Sequence, residues 1–89
     1  MDSKPWTDIS LDLIGPLTVS SGYNSILVVV DRFSKMMVAV PTTMNITAKG
    51  LATLFIDRVL CAHGVPKTII SDRDPRFMSA FWQELFSTL

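Results

Sequence analysis

The sequence predicts an α/β fold: three antiparallel strands, a helix, a fourth strand that joins the sheet in parallel, and a second helix. Two observations carry this prediction. Near the start of the chain apolar residues alternate with polar ones, which is typical of a half-buried strand. From Thr47 onward the apolar period becomes helical, and a short apolar strand follows. A helix between two strands is the crossover that parallel pairing requires.

The first three strands follow one another on short turns. In Asp8–Ile14 every second residue is apolar, so this strand should bury one face and hold Asp12 on the other. Ser25–Val30 is almost entirely apolar and β-branched, which predicts a central strand covered on both faces. Lys35–Val40 predicts a third strand that ends at Pro41, because proline cannot donate to a ladder. Short turns between consecutive strands predict an antiparallel meander.

Two helices and a fourth strand occupy the rest of the chain. The first helix is predicted to begin at an N-cap, Thr47, and to stop at Gly64. The strand Lys67–Ser71 ends on Asp72, which places this aspartate where open α/β sheets carry their reacting groups. A second helix is predicted to begin near Ser79. The positions of the first helix predicted to face the core are Leu51, Leu54, Phe55, Val59 and Ala62.

Composition predicts a small intracellular domain with little affinity of its own for DNA. Of the 89 residues 48% are hydrophobic and 18% charged, so some apolar faces should be covered by a partner or by further chain. Eight basic residues offset eight acidic ones without forming a run, unlike the basic patch of an autonomous nucleic-acid binder. The apolar run Ile26–Val30 is too short to cross a membrane, and Met1–Pro5 lacks a signal-peptide pattern.

The chain has one cysteine and one histidine, too few for an internal disulfide or a structural zinc site. Cys61 lies within the first helical pattern and is interpreted as a small core residue. His63 lies where a basic side chain suits the C-terminus of a helix.

Two aspartates stand apart from the other acidic residues. Asp12 lies within an apolar strand, and Asp72 directly follows one. Because buried carboxylates need a compensating charge, the two are candidate ligands for a divalent metal, although the pattern leaves open whether they meet. Five of the other six are interpreted as turn formers (Asp31, Asp74), solvated residues (Asp8, Asp57) and a residue on the polar side of the last helix (Glu84).

Four segments, in chain order, resemble successive motifs of the integrases of Ty3/gypsy retrotransposons. They are PWTDISLDLI (residues 5–14), SILVVVDRFSK (25–35), HGVPKTIISDRDPRF (63–77) and FWQEL (81–85). The first is similar to the strand of the family's first aspartate, and the third to its second-aspartate motif. The resemblance implies the catalytic core of a retrovirus-type integrase with a truncated ribonuclease H-like fold. In that fold the fourth strand lies beside the first, so Asp12 and Asp72 would be neighbours.

The same resemblance implies DNA integration as the function. Integrases of this family trim the 3′ ends of the element and join them to target DNA by phosphoryl transfer with two Mg²⁺ or Mn²⁺ ions. Asp12 would bridge both ions and Asp72 would hold one, while a glutamate on a later helix would complete the other. That glutamate lies farther from the second aspartate than this chain extends. Glu84 is too close to Asp72, and on the wrong helix, to replace it.

Residues 1–89 are therefore expected to form a partial integrase core that lacks the fifth strand and the glutamate-bearing helix. Such a chain should be inactive alone, with weak or vestigial metal binding and weak DNA binding. The alternative is a truncated or domesticated interaction module, since loss of the fifth strand would expose the edge of the fourth for self-association or pairing with an integrase. A third alternative is an inert relic. No membrane partner is expected, and a nuclear location is implied only by the resemblance.

Overall fold

A four-stranded mixed sheet organises the molecule in a computed structural model that describes residues 6–18 and 22–88. Its strands are β1 (Asp8–Ile14), β2 (Ser25–Asp31), β3 (Met37–Thr42) and β4 (Thr68–Ile70). They lie in the order β3-β2-β1-β4, with β1, β2 and β3 antiparallel and β4 parallel to β1. This arrangement confirms the predicted α/β fold and strand directions. It is consistent with a ribonuclease H-like fold of which the described residues supply four strands and two helices.

The alternation predicted for β1 is confirmed. Ile9 and Leu11 are fully buried, and Leu13 packs against the same core. Asp8 and Asp12 lie on the opposite face and are exposed. Because successive side chains of a strand point to opposite faces, Asp12 is held by a rigid strand yet remains open to solvent.

Only one face of β2 is covered, so the prediction of burial on both faces is wrong. Leu27 and Val29 are fully buried, whereas Ile26, Val28 and Val30 on the other face are half-buried. The reason is that the core joins the sheet to the helices on one side. In the described part of the chain the second face of the sheet carries no helix. We refer to this face, which includes Asp12, as the open face.

The third strand begins later and continues farther than predicted. Lys35 has a φ of 68° and belongs to the turn before β3, because left-handed backbone does not fit an extended strand. Pro41 lies within β3, paired with Ile26, instead of ending it. Because β3 is an edge strand of the sheet, it tolerates a proline whose missing N–H faces away from the ladder.

The first helix begins where predicted. α1 (Ala48–Phe55) is capped by Thr47, whose hydroxyl accepts the N–H of Gly50 at 3.0 Å. A π-helical segment, Ile56–Leu60, then leads into α2 (Cys61–His63), and Gly64 ends the helix with a φ of 85°. The predicted start and stop are thus confirmed.

The π-helical segment makes the predictions for Cys61 and Ala62 wrong. The N–H of Cys61 bonds to the carbonyl of Ile56, five residues earlier, so this turn holds more residues than an α-helical one. The residues that follow are rotated relative to an uninterrupted α-helix. Val59 and Leu60 are buried, whereas Cys61 and Ala62 are exposed and lie outside the core.

The last helix, α3 (Pro75–Thr88), begins one turn earlier than predicted. Asp74 precedes it as an N-cap: its carboxylate accepts the N–H of Arg76 at 2.7 Å, and its carbonyl accepts that of Met78 at 3.0 Å. Proline suits the next position because the N–H it lacks would be unsatisfied there in any case. Among the described residues, no helix is long and apolar enough to cross a membrane.

An aromatic contact between α1 and α3 closes the core. The rings of Phe55 and Phe81 meet edge to face, with their centroids 5.6 Å apart, and both side chains are fully buried. Aromatic pairs favour this geometry because the positive edge of one ring meets the negative face of the other. Farther along α3, Phe86 is 61% exposed and contributes little to the core.

Replacing Phe81 with alanine should remove most of the stability of this small domain. The loss expected for a buried phenylalanine is about 3 to 5 kcal/mol, comparable with the whole stability of a domain of this size. Phe86→Ala on the same helix is the matched control: Phe86 is exposed but stacks on Trp82, so the loss should be about 0.5 to 1.5 kcal/mol, well below that at Phe81. Urea unfolding followed by circular dichroism measures both. Equal losses would show that the core is not centred on the Phe55–Phe81 pair.

Candidate functional site

The two aspartates singled out from the sequence lie at the same end of neighbouring strands. β4 pairs with β1 in parallel, and the last described pair of the ladder is Ser10 with Ile70. In that register Asp72, two residues past the end of the ladder, corresponds to Asp12. Because the strands are parallel, their carboxyl ends meet at one edge of the sheet, which is where such sheets bind ligands.

An open groove of about 590 Å³ lies at this edge, and both aspartates line it. Asp12 and Asp72 are exposed, so their carboxylates can reach a ligand without rearrangement of the core. The structure therefore brings the two residues into one groove. Its lining consists of Asp12, Leu13, Ile14, Asp72, Arg73 and Asp74.

The donor chemistry of the groove fits a hard divalent cation, but incompletely. Carboxylate oxygens are the ligands that Mg²⁺ and Mn²⁺ prefer, and Asp12 and Asp72 supply them. Asp74 also lines the groove, but its carboxylate accepts the N–H of Arg76 as the cap of α3. Glu84 does not line the groove. Within residues 6–18 and 22–88, no cluster of three or more His, Cys, Asp or Glu side chains could hold a metal ion.

Comparison with known proteins relates this chain to a mobile element. No protein-family model matches it. It is 49% identical, over 81 residues and 91% of its length, to the Transposon Tf2-3, Tf2-4 and Tf2-5 polyproteins of Schizosaccharomyces pombe. The chain is homologous to part of a retrotransposon polyprotein. It spans 6% of the length of each of these relatives, which are of the Ty3/gypsy type. The retrotransposon part of the predicted resemblance is thus confirmed.

In this retrotransposon-related chain, Arg73 is a groove residue that the sequence reasoning missed. Its guanidinium lies over the ring of Phe77, 4.1 Å from the ring centroid, and its Nε is buried without a hydrogen-bond partner. The backbone N–H of Arg73 donates to the Ser71 hydroxyl at 3.2 Å, which shapes the turn around Asp72. The spacing of an arginine four residues before an aromatic residue could have drawn attention to it.

The start of β1 is fastened to the end of the first helix and to β4. The ring of Trp6, which is 8% exposed, stacks on that of His63 with centroids 3.9 Å apart. The carbonyl of Thr7 accepts the N–H groups of Lys67 at 2.8 Å and of Thr68 at 3.2 Å. His63 ends α2, as predicted, and its stacking on Trp6 was not foreseen. These contacts hold β4 in register with β1 and therefore set the position of Asp72 relative to Asp12.

Asp31 is a buried carboxylate that the sequence reasoning treated only as a turn residue. It does shape the turn, because it accepts the Ser34 hydroxyl at 2.6 Å and the N–H groups of Phe33 and Ser34. It is also fully buried. Burial by itself would raise the pKa of this carboxyl, but hydrogen bonds from Ser34, from the Trp6 N–H and from the Phe33 N–H outweigh it and lower the pKa. The charged form therefore stabilises the turn between β2 and β3.

The stabilisation from Asp31 should depend on pH. Because the folded-state pKa is lowered, the contribution is complete above the unfolded value of about 3.9 and is lost as the pH falls through the folded value. Asp31→Asn should therefore be less stable than the wild type at neutral pH, and the difference should shrink below about pH 4. Urea midpoints measured across this range test the prediction. Asp57→Asn, at an exposed helix position, is the control and should leave the midpoint unchanged. A difference in urea midpoint between the wild type and Asp31→Asn that stays constant with pH would contradict the prediction.

Proposed function

We propose that this chain is the first part of an integrase catalytic core and that Asp12 and Asp72 are the metal-binding aspartates of that core. The observation that carries the proposal is the parallel register of β1 and β4, which brings both residues to one groove. The similarity to retrotransposon polyproteins supports it, since the matched segment includes nearly the whole chain. The four motifs that resemble those of Ty3/gypsy integrases support placing the segment in the integrase region.

The chain's own residues would bind and orient the metal. Asp12 lies in β1 opposite Val28 of β2, so the ladder between the two strands fixes its backbone. Asp72 directly follows the short strand β4, and the Ser71 hydroxyl holds the turn that carries it. When bound, Mg²⁺ would activate a nucleophile and stabilise the leaving oxygen in phosphoryl transfer on DNA 3′ ends and target strands.

By itself the chain should bind at most one ion, weakly, and should not catalyse integration. Mg²⁺ requires near-ideal geometry and several oxygen ligands, and Asp12 and Asp72 supply only two carboxylates. DNA binding should also be weak, since basic and acidic residues are equal in number. In the resembling family a third acidic residue completes the site.

Titration with Mn²⁺ should broaden the amide NMR signals around Asp12 and Asp72 before those elsewhere, because a paramagnetic ion acts over short distances. Asp12→Asn and Asp72→Asn should each abolish this selectivity, since one carboxylate cannot retain the ion. Asp8→Asn is the matched control: Asp8 lies on the same face of β1, is also exposed, and lies outside the groove. In this variant Mn²⁺ should broaden the amide signals around the groove as it does in the wild type.

Two results would contradict the proposal that Asp12 and Asp72 bind a metal ion. One is uniform broadening with no preference for the groove, and the other is equal loss of selectivity in Asp8→Asn. The proposed inactivity has its own test, a strand-transfer assay on the 89-residue chain. Activity that Asp72→Asn abolishes would overturn it.

A second candidate function is an interaction module, favoured by the edge that β4 presents. β4 is the terminal strand of the described sheet, and Ile70 within it is 44% exposed. An edge strand carries unpaired backbone N–H and C=O groups that can pair with another chain. The edge could therefore pair with a second copy of this chain or with an integrase.

If the β4 edge mediates self-association, Ile70→Lys should shift the chain toward monomer, because a charge on an edge strand disfavours pairing. Met37→Lys is the matched control: it lies on the opposite edge strand, on the same open face, and is also exposed. Sedimentation velocity over a range of protein concentrations measures the effect. A wild-type chain that is monomeric throughout, or equal shifts in both variants, would count against the interaction module.

A further inference from the structure

The guanidinium of Arg73 is a cation that its surroundings hold in place but do not neutralise. It lies 4.1 Å from the centroid of the Phe77 ring, and Arg73 as a whole is half-buried. Its Nε is buried and has no hydrogen-bond partner. A covered N–H group without a partner is costly, so the stack on Phe77 alone does not explain why the side chain lies here.

Carboxylates line the same groove, yet none of those in the described residues forms an ion pair with the Arg73 guanidinium. Asp12, Asp72 and Asp74 line the same groove as Arg73. The ion pairs found among residues 6–18 and 22–88 are Asp57 with Arg58 and Asp74 with Arg76. Asp74, one of the two aspartates adjacent to Arg73 in sequence, thus pairs with the almost fully exposed Arg76 instead. The charge of Arg73 remains available at the groove.

A metal held by the two aspartates would change which ligand this groove accepts. Without a cation, three carboxylates repel any anion that approaches. With a divalent cation on Asp12 and Asp72, an anion can bind the cation and the guanidinium at once. Phosphate oxygens do both, because they coordinate Mg²⁺ and accept paired hydrogen bonds from a planar guanidinium.

We propose that Arg73 binds a phosphodiester of DNA beside the metal held by Asp12 and Asp72. This inference rests on the proposed function and adds the residue that positions the DNA backbone at the metal. The contact with the Phe77 ring holds the guanidinium at the groove that the two aspartates line. Arg73 contacts the backbone and reads no base, so its contribution is independent of sequence.

The test is the affinity for a fluorescein-labelled DNA duplex, measured by anisotropy at low salt with excess Mg²⁺. Arg73→Gln should weaken binding roughly tenfold, as expected for loss of a charge-assisted contact. Arg76→Gln removes the same charge three residues away and should weaken binding by less than about twofold, as an exposed residue outside the groove. Arg73→Lys, which keeps the charge but loses the planar fork, should fall between them.

Two further measurements separate a DNA contact from a structural role. The salt dependence of binding should decrease by about one released counterion in Arg73→Gln and stay unchanged in Arg76→Gln. Phe77→Leu keeps the charge but removes the ring, and should weaken binding although net charge is unchanged. Circular dichroism melts identify any variant that has unfolded. If Arg73→Gln has unfolded, the DNA affinities of Arg73→Lys and Phe77→Leu are compared with that of the wild type instead.

Equal losses in Arg73→Gln and Arg76→Gln would overturn the proposal, and so would the absence of DNA binding by the wild type at low salt. The Mn²⁺ titration, which contains no DNA, keeps this outcome distinct from that of the proposed function. Selective broadening at Asp12 and Asp72 with no Arg73 effect would refute only the phosphate contact. An Arg73-specific loss without selective broadening would refute the metal pair, and with it the placement of the phosphodiester beside a metal.

Discussion

The parallel pairing of β1 with β4 is the contact on which the rest of the site depends. The ladder is short, from Asp8 with Thr68 to Ser10 with Ile70, and β4 has no further partner in the described sheet. A strand of this length holds its register only with help from outside the ladder. This help comes from the Thr7 carbonyl, which accepts the N–H groups of Lys67 and Thr68 at the start of β4, and from the stack of Trp6 on His63. A slip of one residue would move every β4 side chain to the other face and separate Asp72 from Asp12.

The one-sided core explains both the stability of the sheet and the exposure of the site. Phe55, Phe81 and Leu85 of the helices belong to the same buried cluster as Leu11 and Val29 of the sheet, and all five are fully buried. The open face keeps its apolar strand residues half-buried, which agrees with a hydrophobic share of 48% in so short a chain. The two candidate metal ligands, Asp12 and Asp72, lie where the buried and the exposed parts of the sheet meet. Asp12 is held by a strand whose alternate residues are in the core, and its own carboxylate stays in water.

Local charge governs the groove more than the overall charge does. The chain is neutral as a whole, yet three aspartates and one arginine line the groove at the end of β1 and β4. Asp74 and Arg76 form an exposed pair at the start of α3, and Arg73 stacks on Phe77. The cap of α3 therefore removes one carboxylate from the set that could bind metal, while leaving Arg73 unpaired. Helix capping and site chemistry are coupled through a single aspartate.

The sequence by itself determined the element types and the strand directions, because period-2 alternation, a helical apolar stripe, a cap and a crossover are local signals. It located β1 to the residue, the start of the first helix at Thr47, and Asp12 and Asp72 as the residues of interest. Only the tertiary structure decided the rest. Cys61 lies outside the core because of the π-helical turn, and α3 begins early because Asp74 caps it. Pro41 lies within β3 because β3 is an edge strand. The Trp6–His63 stack, the buried Asp31 and the unpaired Arg73 join residues through space. Spacing along the chain carries no record of such contacts, since they form only when distant elements pack together.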